Sequence, residues 1–230
     1  MLKVFLDIET LPPDEGVRAQ LSPGKIRKLL RKHADDGSEC TDEEFRSLAL
    51  YAEYGRVLTI GVIMERGDEL LHRGVLGREW QTMMFHLDEV RTLRGFWKLL
   101  KDFNPARDLI IGHNVFWDLK FLSKRSIIHG IKPLKLSFAK FRSQPIFDTM
   151  QEWSGWDFNA GISLGHLAEI LKIGLTKTEG MDGSKVYDQF CAGCHNLIAD
   201  YCLRDVECVR AIFYKLTDPE GYVSGIDDSG

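Results

Sequence analysis

A chain of 230 residues, 44% hydrophobic and 28% charged, suits one globular domain, alone or with an insertion. No apolar run approaches the ~18 residues of a membrane span, and MLKVFLDIE opens as a strand rather than a secretory signal, so a cytoplasmic protein without a membrane partner is expected. The net charge of −4 gives no bulk attraction for a polyanion, which must then be held by local positive surface.

Residues 2–8 alternate and are rich in Val, Phe and Ile, as a strand should be. Pro12 and Pro13 then stop the ladder. Helical spacing follows over 23–33 and 42–54, the second capped by Thr41 or Asp42, so residues 12–54 read as a helical insertion. Residues 56–65 and 69–77 read as strands joined by a turn at Arg66-Gly67-Asp68. Residues 78–103 have helical spacing, with a break expected near Leu93-Arg94-Gly95. Residues 108–113 form a short apolar strand, and 116–130 a helix closed by Gly130. Ile146–Asp148 is a short strand. Residues 162–174 read as a helix from Ser163 to Gly174, and 195–216 as the last long helix. Residues 218–230 are expected to fray. The order predicts an α/β domain with a mixed sheet over 1–217; there is no internal repeat.

Three motifs carry the chemistry. In LDIET, Asp7 and Glu9 leave the same face of a strand. Two carboxylates a few ångströms apart push up a pKa unless a cation sits between them, and hard oxygen donors suit Mg²⁺ or Mn²⁺. In GHNVFWDLKFL, Asp118 lies in the first turn of a helix, where acids are also favoured by the dipole; Asn114 either caps that helix or donates to a phosphate or sugar. In YCLRDVECV, Tyr201 and Asp205 are four apart on one helix face. This pair makes chemical sense when the acid holds a metal and the phenol positions its water.

The order LDIET, HNxxxD, YxxxD resembles the DEDD exonucleases of the Tyr branch, and most closely the predicted 3′→5′ exonucleases related to the proofreading domain of family-B DNA polymerases. MDGSKVYDQF and ISLGHLAEILKIG resemble that family too, and the likeness runs from about Leu2 to Val209. It implies a ribonuclease H-like fold. It also implies two Mg²⁺ or Mn²⁺ ions, ~3.5–4 Å apart in such sites, held by Asp7, Glu9, Asp118 and Asp205, with Tyr201 orienting the attacking water. Thr10 and Leu11 would lie beside the 3′-terminal nucleotide, and Asn114 and Phe116 would line the substrate channel. The substrate implied is the single-stranded 3′ end of a nucleic acid, DNA before RNA, released as 5′-mononucleotides. An exoribonuclease and a catalytically silent nucleic-acid-binding protein are the alternatives.

Two basic runs offer grip on phosphate: Lys25, Arg27, Lys28, Arg31 and Lys32 on the insertion, and Lys132, Lys135, Lys140 and Arg142 around Phe138 and Phe141. Each reads equally as a solvated face. Five cysteines, an odd number, read as free thiols. CAGCH matches a haem-attachment pattern, and Cys191, Cys194 and His195 with Cys202 or Cys208 would make a zinc set, although no second well-spaced pair exists. His113, His166 and His195 read as structural or surface residues. Asp148 reads as an N-cap or as a neighbour of the site.

Overall fold

The structure, a computed structural model, describes residues 1–30, 39–157, 159–174 and 181–222. Strand β1, Leu2–Leu11, runs past the expected end at residue 8 because its ladder to the next strand continues to Leu11. Leu2, Val4, Leu6 and Ile8 enter one core cluster and Phe5 enters another on the opposite face, the period-2 alternation of a strand buried on both sides.

The insertion follows as a 3₁₀ turn (Glu15–Gln20), helices α1 (Pro23–Leu29) and α2 (Asp42–Ser47), and a second 3₁₀ turn (Leu48–Leu50). Both helices are shorter than the spacing suggested, and residues 31–33 lie outside the described residues. Thr41 caps α2 in a reciprocal pair with Glu44, accepting its N–H at 3.2 Å and donating its own at 3.0 Å. Ile26, Phe45 and Leu48 close a small apolar cluster. Arg27 turns into it and pairs with buried Glu44 at 3.0 Å, so it is not part of a phosphate-binding face. Lys25 and Lys28 are exposed; Arg31 and Lys32 lie outside the described residues.

β2 (Arg56–Arg66) pairs antiparallel with β1, and β3 (Glu69–Leu76) antiparallel with β2. The expected hairpin turns at Gly67, whose φ of 61° suits glycine. Residues 78–88 are not helical, contrary to expectation. Arg78 bridges to Phe85, Met83 and Leu87 hold φ of 58°, and Asp88 accepts the Arg91 N–H at 2.9 Å. That cap starts α3 (Glu89–Leu99), which runs unbroken through Leu93-Arg94-Gly95.

β4 (Leu109–Gly112), α4 (Val115–Ile128) and β5 (Ile146–Asp148) come next. β4 is parallel to β1, and β5 to β4, giving the mixed sheet β3-β2-β1-β4-β5. Gly130 closes α4 as expected, at φ 67°, with Ile131 N–H bonding Ser126 O at 2.8 Å. α5 (Thr149–Ser154) and α6 (Leu164–Ile170) follow. Ser163 caps α6, but Lys172, at φ 56°, ends it in place of Gly174; the Ile173 N–H reaches Ala168 O at 2.9 Å. α7 (Val186–Cys191) leads into α8 (His195–Thr217). Beyond α8, residues 218–222 turn back, with Tyr222 packed beside Ile212 and Leu167; residues 223–230 lie outside the described residues.

α3 and α4 cover one face of the sheet, and α8 covers the other. Glu89 ties the first layer together. It accepts the buried guanidinium of Arg125 at 2.9 and 2.6 Å and the Val57 N–H at 2.8 Å, with His129 Nε2 at 2.7 Å. Arg125 also donates to Ala52 O at 3.1 Å, so one ion pair joins α3, α4, β2 and the end of the insertion. Among the described residues no helix is long and apolar enough to cross a membrane.

Candidate active site

Asp7 and Glu9 stand on the face of β1 that looks towards α8, opposite Gly61 and Thr59 of β2. Directly after Glu9 the ladder slips, Thr10 pairing with Val57. A bulge of this kind re-aims the following side chains. Thr10 lines the cavity, while Leu11 is buried among Leu58, Phe85 and Val186.

α8 delivers Tyr201 and Asp205 because it lies unusually close to β2. A Cβ on Gly61 would meet Val206 Cγ2 at 2.8 Å, Cys202 Sγ at 2.9 Å and Cys202 O at 3.2 Å. Gly61 is therefore the residue that lets the third motif approach the first. Gly61→Ala is expected to cost about 1–3 kcal/mol by overpacking and to lower turnover, checked by urea unfolding beside rate measurement; an unchanged midpoint would contradict this contact. The phenol of Tyr201 lies beside Asp205, and the two act on each other electrostatically.

α4 brings Asp118 from the other layer. Its start also depends on a glycine, since a Cβ on Gly112 would lie 2.6 Å from Val115 Cγ2 and 3.0 Å from Leu6 O. Asn114 is the N-cap by position, at φ 59°, but its side chain caps nothing. Buried Asp148 does that work, accepting the Asn114 N–H at 2.9 Å and, for α5, the Met150 N–H at 3.1 Å. It is thus both an N-cap and a neighbour whose charge acts on Asp118. His113 is held at both ring nitrogens, by Thr149 Oγ1 at 2.9 Å and Ile162 O at 2.7 Å. Burial lowers its pKa, so it stays a neutral structural group.

The four acids and the phenol of the three motifs line one cavity of about 270 Å³. Asn114 also lines it, whereas Phe116 points away towards Phe138 and Trp156. Trp117, one residue on, takes a place in the wall, and Ala49 and Leu50 bring the insertion to the rim. Neither was recognisable from the motifs, because the helix start fixes which of two adjacent rings faces the cavity.

The electrostatics are those of an unneutralised acidic cluster. Burial, and then the charge of Asp205, raises Asp7 well above the usual carboxylate range. Burial and the charges of Asp7, Asp205 and Asp118 do the same to Glu9. Burial, Asp7 and Asp148 do so to Asp118. Burial lifts Asp205 to about 6 against the Tyr201 hydrogen bond and the Arg204 charge. Burial, followed by the charges of Asp205, Glu9 and Asp7, pushes the Tyr201 phenol upward, so it stays protonated. Among the described residues none of the four acids forms a salt bridge. Buried carboxylates without a counter-charge fit a divalent cation held through oxygen.

Asp7, Glu9 and the Cys202 thiol put ligand atoms within 4.8 Å of one another. Burial holds Cys202 as a thiol, 3.8 Å from Asp7 O, which leaves the carboxylates as the donors. The cysteines of CAGCH are not gathered: the His195 Nδ1 accepts the Phe85 N–H at 3.1 Å, and its ring sits between Phe85 and Phe190. Cys202 and Cys208 are buried along α8.

A mixed five-stranded sheet with helices on both faces and acids converging at the end of its central strand is the ribonuclease H-like exonuclease architecture. The chain belongs to the family of predicted 3′–5′ exonucleases related to the exonuclease domain of PolB, whose model matches residues 49–225. The match takes in Asp118, Tyr201 and Asp205; Asp7 and Glu9 lie before it and join the site through the fold. No curated protein matches the chain. An exonuclease domain implies a nucleic-acid substrate, and domains of the PolB type use divalent metals.

Proposed function

We propose that this protein is a metal-dependent 3′→5′ exonuclease that shortens single-stranded DNA from its 3′ end and releases 5′-mononucleotides. The observation that carries this reading is the convergence of Asp7, Glu9, Asp118 and Asp205 on one cavity, none of them in a salt bridge among the described residues, beside a protonated Tyr201. The four carboxylates would hold Mg²⁺ or Mn²⁺, two ions in the full site. Such ions acidify water and stabilise the charge that develops on the leaving 3′-oxygen. Tyr201, anchored through Asp205, presents its hydroxyl to the attacking water and does not take its proton, since the charges around it keep the phenol protonated. Thr10 and Asn114, both in the cavity wall, would hold the terminal nucleotide. The choice of DNA rests on the kinship with a DNA polymerase's exonuclease domain.

The test uses 5′-labelled DNA and RNA of matched sequence with Mg²⁺, Mn²⁺ or chelator. A ladder shortening from the 3′ end is expected with DNA, absent with chelator and lost in Asp205→Ala. Tyr201→Phe removes a positioning group only, and is expected to cost roughly 10- to 100-fold, less than Asp205→Ala. Equal losses with metal occupancy intact would contradict the roles given to the two residues. Shortening of RNA alone would overturn the substrate, and no shortening of either strand would overturn the activity.

A further inference from the structure

The chain between α4 and β5 passes beside the start of α4, and its aromatic rings do not all enter the core. Phe138 packs against the core, yet Phe141 is 69% exposed. The rings make a chain: Phe141 to Trp156 at 5.6 Å, Trp156 to Phe116 at 5.9 Å, Phe116 to Phe138 at 6.4 Å. Phe141 and Trp156 both hold positive φ, 60° and 65°, a conformation that bulky residues rarely adopt. Positive charge lies at Lys120, over two of these rings, and in the loop that carries Phe138 and Phe141. Lys120 Nζ lies 6.0 Å from the Phe116 ring and 5.9 Å from the Phe138 ring, and Lys132, Lys135, Lys140 and Arg142 are exposed. The acids nearby are Glu152, which accepts the Ser143 hydroxyl, and Asp157, so cations outnumber them. The strip begins at Phe116, adjacent in sequence to Trp117 and two residues from Asp118, both in the cavity wall.

Resting on the exonuclease reading, we propose that this strip carries the single-stranded DNA that lies upstream of the 3′ end. The catalytic cavity, about 270 Å³, is too small to hold a strand of several nucleotides. Bases upstream stack on Phe116, Trp156 and Phe141, while Lys120, Lys140 and Arg142 follow the phosphates. Stacking platforms beside a basic track are how single strands are held without reading sequence. Because a base must be unpaired to stack there, the strip selects single strands and frayed ends over intact duplex.

The experiment compares a thymidylate dodecamer, a thymidylate trimer and the p-nitrophenyl ester of thymidine 5′-monophosphate, for the native protein, Phe141→Ala and Trp156→Ala. Dodecamer binding is read by fluorescence anisotropy. Each substitution is expected to weaken dodecamer binding roughly 5- to 100-fold, the range for loss of one stacking partner, and to lower kcat/KM on the dodecamer through KM. The loss on the trimer and on the ester is expected to be at least about fivefold smaller. Lys140→Ala with Arg142→Ala should flatten the salt dependence of dodecamer binding by about 1–2 in slope. Phe141 is exposed, so its variant tests the strip even if Trp156→Ala fails to fold. Equal losses on ester and dodecamer, or undiminished dodecamer binding, would overturn the proposal. So would effects seen on a ribonucleotide dodecamer alone. Aromatic-dependent binding without hydrolysis of any substrate would sink the exonuclease reading and leave the strip standing. Hydrolysis indifferent to both rings would do the reverse.

Discussion

Asp118→Asn will abolish strand hydrolysis and, in the same protein treated with chelator, raise thermal stability at pH 8. The first effect follows from removing one of the four carboxylates proposed to hold the metal, and a loss of at least about 10²–10³ in rate is expected for a group stabilising transition-state charge. The second follows from the burial of that carboxylate beside Asp7 and Asp148, which raises its pKa in the folded chain. A raised pKa means that the folded state resists ionisation. Stability is then fully retained below the ordinary carboxylate range and lost as pH rises through the folded-state values, of which that of Asp205 is about 6. Asparagine removes the repulsion at Asp118, a gain of roughly 1–3 kcal/mol, or about 2–4 °C in Tm for each kcal/mol in a chain of this size. At pH 4 the gain should nearly vanish, because the native chain is then protonated too. Melting curves at the two pH values, with chelator and with Mg²⁺, decide it. A variant less stable than the native chain at pH 8 in chelator would show that Asp118 supports the fold and is not poised for a cation.

Glu89→Ala should be the most damaging substitution far from the cavity, at about 3–5 kcal/mol, because it leaves the buried Arg125 guanidinium without its counter-charge. Burial alone would raise the Glu89 carboxyl; the bonds from Arg125, the Val57 N–H and His129 outweigh it and hold the pKa below the usual range. Its pH dependence is therefore the opposite of that of the four cavity acids. The stabilisation is present above the ordinary carboxylate range and lost as pH falls through the folded-state value. Urea unfolding at pH 7 measures the loss; a change under about 1 kcal/mol would mean that the network is incidental. Activity should fall only in proportion to the unfolded fraction, since Glu89 does not line the cavity.

These two residues also mark what can be read along a sequence. Asp118 was visible because motifs are local: a strand, a helix start and an i, i+4 pair each bring chemistry together within a few residues. Strand alternation placed Asp7 and Glu9 on one face, and helical spacing placed Tyr201 with Asp205 before any tertiary contact was known. Glu89 is bound to Arg125, 36 residues away, and nothing in the spacing of either announces the pair. The same blindness covers Gly61 and Gly112, whose missing side chains matter only because another element passes within van der Waals contact. Residues 78–88 have helical spacing, but Asp88 supplies a better start than anything before it, and positive φ at Met83 and Leu87 breaks the run. At Lys172 the chain ends α6 in a left-handed conformation that composition assigns to Gly174, because Ile173 gains a place in the core. Arg27, counted within a basic run, has its partner in the next helix.

The thiol of Cys202 meets the carbonyl of Asp7 across 195 positions of sequence, and the same long span separates the first carboxylate motif from the last. A nascent chain that has not yet produced α8 carries Asp7, Glu9 and Asp118 but neither Tyr201 nor Asp205. It holds three of the four carboxylates of the proposed cation site and lacks the phenol. If the proposed site is the catalytic one, it gains its last two groups only when the final long helix docks against Gly61, so hydrolytic competence would arrive with the completed fold.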